Sequence, residues 1–134
     1  MQKYKKVFIY ISIIIVLASF KKPVNDNTEI IIKDRVQKID TIRHDTIVFL
    51  DYELKNISNK TISIKYVKPD CICTNYEISN KTIHPNGISN ITLVFNTKDK
   101  IGKQKINAII RTDGKIRFYK IIFKTYIKRE LEKI

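Results

Sequence analysis

Two cysteines, two histidines, three glycines, three prolines and no tryptophan occur in 134 residues, and each scarcity closes off a class of protein. Two cysteines cannot build the disulfide framework on which very small secreted folds depend. A chain of this length does not need one, because roughly two-thirds of its unfolded surface goes inside on folding. Cys71 and Cys73 supply only two of the four ligands a structural zinc takes. His44 and His84 lie in or beside expected turns, where a lone histidine is normally a satisfied polar residue. There is no Gly-rich phosphate loop, no Ser-His-Asp or Cys-His-Asn set at recognisable local spacing, and no carboxylate-dense cleft motif. A cysteine nucleophile would have to borrow a distant histidine as its base. The expectation is a non-enzymatic protein that carries no cofactor.

Acidic residues are missing from the first 22 positions, which hold Lys3, Lys5, Lys6, Lys21 and Lys22. Between these lysines, Val7 to Phe20 runs for fourteen residues, with Ser12 as the polar interruption before Ser19 near its end. A positive start, a short apolar run and small residues at its end make an export signal. As a helix the run spans about 21 Å, short of the ~30 Å hydrocarbon core, which favours a cleaved signal over a permanent anchor. Val16-Leu17-Ala18 before Ser19 offers compact residues for cleavage. Lys21 and Lys22 oppose translocation, so an anchor formed by residues 1–22 is the alternative. No cysteine stands just after the run, where Phe20 and Lys21 lie instead, which excludes a lipoprotein of the usual kind. The expected location is periplasmic, surface or secreted.

Formal charge is +13, from 26 Lys and Arg against 13 Asp and Glu; without the first 22 residues the balance is 21 against 13, or +8. Such a field favours anionic partners. The lysines, however, are scattered over alternating strand positions and turns, where they serve as solvated faces and guard strand edges. No aromatic-plus-basic motif of a nucleic-acid module is present, so nucleic acid is not the expected partner.

Beyond a polar linker containing Pro23, the hydrophobic period is two throughout, the mark of strands. Glu29 to Lys33 can form a short first strand. Val48, Leu50, Tyr52 and Leu54 alternate with Phe49, Asp51, Glu53 and Lys55; Ile62, Ile64 and Tyr66 alternate with Ser63 and Lys65; Ile91, Leu93 and Phe95 alternate with Thr92 and Asn96. Turns fall at Ser58-Asn59-Lys60, Pro85-Asn86-Gly87 and a Lys98–Lys103 loop. Ile106 to Arg111 and Ile116 to Ile127 form a hairpin, and Asp113-Gly114 predicts a type I′ turn. The second strand changes phase at Phe118-Tyr119, which predicts a bulge there. Strands at roughly ten-residue spacing with no helix-period segment give an all-β class, a sandwich or barrel over residues 36–127 with residues 128–134 as a tail. The four sequons at Asn56, Asn59, Asn80 and Asn90 are expected by chance in an Asn-rich chain.

Cys71-Ile72-Cys73 carries the candidate chemistry. In an extended segment the two Cα atoms would stand about 6.6 Å apart, near the upper limit for a disulfide. Three readings are open: a structural element of the turn, a redox-active or thiol-exchange pair, and a soft-metal site for an ion such as Cu(I).

Several segments together resemble a bacterial family known as domain of unknown function 1573. They are Asp40-Thr41-Ile42, Leu54-Lys55-Asn56 with its polar turn, Val67 through Thr74 with the Cys-x-Cys-Thr at its end, Ile83-His84-Pro85-Asn86-Gly87, and Val94 through Lys98, followed by Gly102-Lys103. They stand in the family's order over about ninety residues. Ile72 stands where the family usually has glycine, and Asp70 where it has serine. The resemblance implies an immunoglobulin-like antiparallel β-sandwich on exported or surface proteins and implies no established activity. Two functions are consistent with it. One is an envelope interaction or structural module that binds another envelope protein or a surface polymer by a sheet face or an edge strand. The other is thiol redox or copper handling through Cys71 and Cys73.

Overall fold

The structure, a computed structural model, describes residues 28–129. The signal or anchor reading of residues 1–22, most of the linker and the tail after Arg129 lie outside the described residues. Among the described residues, no helix is long and apolar enough to cross a membrane.

Alternation of large apolar residues produces nine strands: β1 (Ile30–Ile32), β2 (Val36–Arg43), β3 (Ile47–Asn56), β4 (Ile62–Pro69), β5 (Thr74–Ile78), β6 (Thr82–Ile83), β7 (Ile88–Asn96), β8 (Gly102–Thr112) and β9 (Phe118–Lys128). They form a smaller sheet in the order β1-β3-β7-β5 and a larger one in the order β2-β9-β8-β4-β6. The period-two pattern has one face of each sheet to bury, and the two apolar faces cover each other. The all-β sandwich expected from the sequence is therefore present.

The core lies between the sheets. Leu50, Tyr52 and Leu54 of β3 and Ile91, Leu93 and Phe95 of β7 meet Ile106, Ala108 and Ile110 of β8 and Ile121, Phe123 and Ile127 of β9, all buried. Phe95 and Phe123 join the sheets edge to face, with ring centroids 5.9 Å apart and planes at 66°, a favoured aromatic geometry. The Tyr52 hydroxyl donates to the Ile122 carbonyl at 3.0 Å, so a β3 side chain is tied to the backbone of the opposite sheet.

Several details depart from expectation. The stretch from Ile30 to Arg43 is shared by both sheets: β1 pairs antiparallel with β3, the chain turns at Asp34 (φ 48°), and β2 pairs in parallel with β9. The sandwich is thus antiparallel except at this one pair. Asp113-Gly114 does not make a type I′ turn. Neither residue has positive φ, and the loop closes through Thr112 N–H to the Arg117 carbonyl at 2.9 Å. Gly114 instead leaves room for the Glu29 carboxylate, which a Cβ there would displace. The predicted bulge at Phe118-Tyr119 is absent: β8 and β9 stay in register from Gly102↔Ile127 to Arg111↔Phe118. The phase change arises because Ile116 belongs to the loop. The irregularities fall at Ile64/Tyr66, where Val67 takes the inward position in place of Tyr66, and at Ile39/Thr41.

Candidate functional site

Cys71-Ile72-Cys73 sits at the corner where the chain leaves β4 in the larger sheet and enters β5 in the smaller one. The corner is a tight turn, not an extended segment. Thr74 N–H donates to the Cys71 carbonyl at 3.1 Å, which draws the two cysteine Cα atoms to 5.1 Å, and the sulfurs are joined as a disulfide. That separation lies inside the ordinary disulfide range. Neither Ile72 nor Cys73 has positive φ, so the turn does not need a glycine between the cysteines and Ile72 is accommodated.

Both flanks of the corner are tied down. Asp70 accepts from the Asn107 backbone N–H at 2.9 Å and the Asn107 amide at 2.6 Å, while Asp70 N–H donates to the Asn107 carbonyl at 2.8 Å. On the other side Asn96 N–H donates to the Cys73 carbonyl at 2.9 Å. The disulfide therefore bridges a turn already clamped to β8 and β7. It leaves Ile72, fully exposed, at the tip. Asp70, a serine in the family pattern, is the acceptor that makes the first clamp.

His44 and His84 do not approach this corner through any bond. His44 N–H donates to the Lys128 carbonyl at 3.1 Å, and the His84 ring nitrogen Nδ1 lies 3.3 Å from the Thr61 hydroxyl. Among the described residues no three His, Cys, Asp or Glu side chains gather in a group that could hold a metal. As a disulfide neither sulfur is a thiolate, so metal or thiol-exchange chemistry at Cys71 and Cys73 would begin with reduction.

The corner leads into an unusual edge. Three of the four outer strands are blunted: β1 has three residues, β6 has two, and β2 carries Lys38, Asp40, Arg43 and a bulge. These are the ordinary protections of a sheet edge. β5 is guarded less. Its five residues hold one charge, Glu77, with Tyr76 40% exposed, and β7 is its one partner strand.

The outer faces of the two sheets differ sharply in charge. The strands of the larger sheet contain ten basic residues and one acidic residue, Asp40. Those of the smaller sheet contain Lys55 against Asp51, Glu53 and Glu77. Register places Lys103, Lys105 and Arg111 of β8 on the same outward face as Lys120, Lys124 and Lys128 of β9. Lys38 and Arg43 of β2 and Lys68 of β4 extend that face on either side.

A family model described as "Protein of unknown function (DUF1573)" matches residues 30–127. The chain belongs to this family. The matched stretch spans the Cys-x-Cys corner and both sheets. No curated protein matches the chain. Among solved structures, a Porphyromonas gingivalis W83 protein of unknown function is similar over 72% of this chain, at TM-score 0.62 and 8% identity. The chain spans about half of that protein, 46% of its length. The ASH / PapD-like domain of human CEP192 is similar at TM-score 0.59 and 10% identity, over 82% of this chain and 94% of that one. SSP-19, an MSP-domain protein-like family member of Caenorhabditis elegans, is similar at TM-score 0.53 and 10% identity, over 71% and 97%. At such identities the likeness is one of fold, and the DUF1573 domain has the immunoglobulin-like sandwich of PapD-like and MSP domains.

Proposed function

We propose that the chain is an exported, non-enzymatic immunoglobulin-like module that binds another envelope protein through the open edge of β5. The observation that carries this reading is the joining of a lightly guarded edge strand to a disulfide-closed corner that presents Ile72 to solvent. An extended segment of a partner can add as a further strand, with main-chain hydrogen bonds giving affinity and side chains such as Tyr76 and Ile72 giving selectivity. A rigid corner beside the edge lowers the ordering cost of binding.

Site-specific photo-crosslinking in the native cell tests it. A crosslinker at position 72 or 76 should yield a discrete adduct that one at position 59, across the domain, does not. Equal labelling from all three positions would sink the edge reading. Export is tested separately by the first residue of the mature protein: Ser19 or a near neighbour means a cleaved signal, and Met1 means an anchor.

The second reading, thiol exchange or soft-metal handling after reduction, is favoured by the partial exposure of Cys71 and Cys73 at the surface. Alkylation and mass spectrometry before and after mild reductant report whether the bond opens readily. Absence of stoichiometric Cu(I) uptake by the reduced protein would remove the metal branch.

A further inference from the structure

Cross-strand pairing on the outer face of the larger sheet works against the fold. Lys124 of β9 stands opposite Lys105 of β8 on one side and Lys38 of β2 on the other. Three lysines therefore lie in one row across adjacent strands about 4.8 Å apart. Like charges directly opposite destabilise a sheet. Asp40 relieves the row at one end, 3.1 Å from Lys38, with both side chains largely in solvent. The row lines a shallow depression of about 360 Å³, together with Lys103 and Tyr126. A self-repelling row is stabilised when it meets a dense negative charge.

We propose that this face docks on a lipid bilayer bearing anionic headgroups. Its extent suits a broad charged surface. Eleven-residue β8 and β9 run about 36 Å, and four strands side by side span about 14–19 Å. Tyr66, Phe118 and Tyr126 are exposed among the basic residues, the arrangement of amphipathic rings and cations that suits the headgroup layer. Arg111 lies 5.8 Å from the Tyr66 ring centroid and 5.7 Å from that of Phe118, which holds a cation between the two rings. The smaller sheet's acidic outer face would be repelled by the same surface, so the field turns the larger sheet toward it. The chain also enters the domain at the rim of this face: Thr28 shares a cleft with Ile109, Phe118 and Lys120. The sequence before Thr28, with its apolar run from Val7 to Phe20, joins the domain there. This surface is distinct from the β5 edge, and either assignment can fail without the other.

Lysine acetylation footprinting of the full chain, read by mass spectrometry, tests the proposal whether or not the N-terminal segment also inserts. Vesicles of phosphatidylcholine with phosphatidylglycerol should protect Lys105 and Lys124 severalfold more than Lys55, and vesicles of phosphatidylcholine alone should not. High salt should erase the difference, because exposed charges are screened within a few ångströms. Each of Lys105 and Lys124 changed to Gln should weaken phosphatidylglycerol-dependent binding by about fivefold. Equal protection by both vesicle types would overturn the proposal. Protection without vesicles that grows with protein concentration would assign the face instead to the acidic face of a second copy. Protection by duplex DNA but not by phosphatidylglycerol would assign it to nucleic acid.

Discussion

Asn56 heads an Asn-x-Ser sequence and reads as a polar turn residue, yet its side chain is fully buried. Its amide donates to the carbonyls of Lys60 at 2.7 Å and Ile83 at 2.9 Å, and its oxygen accepts from the Ser58 N–H at 2.9 Å and hydroxyl at 2.7 Å. One side chain thus satisfies the backbone of the turn after β3 and of β6. Nothing in the local sequence signals this, because the partners come from Ile83 as well as from the turn. Asn56→Ala leaves the Ile83 carbonyl without this donor inside the fold, and urea unfolding should show a loss of about 1–3 kcal/mol. Tyr52 is legible as core from its alternation with Asp51 and Glu53, but its hydroxyl bond across the sandwich is not. Burial pushes that hydroxyl up to about 12 from its ordinary value of 10.0. The folded state therefore holds the proton after the unfolded chain has released it. The stabilisation this gives is complete below pH 10 and disappears as pH rises through 12. Between those limits the urea midpoint of the wild type should fall more steeply than that of Tyr52→Phe, by no more than one proton's linkage slope, about 1.4 kcal/mol per pH unit.

At the scale of elements, strands with one buried face were readable and strands without one were not. β3, β7 and β9 show their inward residues in sequence because the sandwich buries every second position. β2 shows almost no burial alternation. It is an edge strand, and its parallel pairing with β9 depends on a partner far along the chain. The Cys-x-Cys motif was visible, but its separation was not: an extended backbone would hold the Cα atoms near the upper limit for a disulfide, and a hydrogen-bonded turn brings them to 5.1 Å. Closing a loop of three residues stabilises weakly. Replacing both cysteines by serine should cost about 1.6 kcal/mol in loop-closure entropy, measurable as a lowered melting temperature that matches the wild type in reductant. The lysine row carries the opposite expectation. Lys124→Thr removes two like-charge neighbours and should raise stability by about 0.2–1 kcal/mol.

For the whole molecule, the sequence shows +8 outside the first 22 residues but not where that charge lies. Segregation follows from topology, because it depends on which strands share a sheet and which parity faces out. A Lys105→Gln/Lys124→Gln variant should elute from a cation exchanger at lower salt than a Lys55→Gln/Lys81→Gln variant of the same net charge. Co-elution of the two would mean the charge acts as if spread evenly. The fold class, by contrast, was accessible from periodicity and turn residues alone.

The parallel pairing of β2 with β9 also sets a clock. Val36 lies beside Ile122, so the domain's second strand is made 86 residues before the neighbour that covers it. At ordinary rates of synthesis that interval is roughly 4 to 17 s. For that time Val36 and Ile39 lack this neighbour, and Lys38, Asp40 and Arg43 around them are charges of the kind that discourage pairing along an open strand.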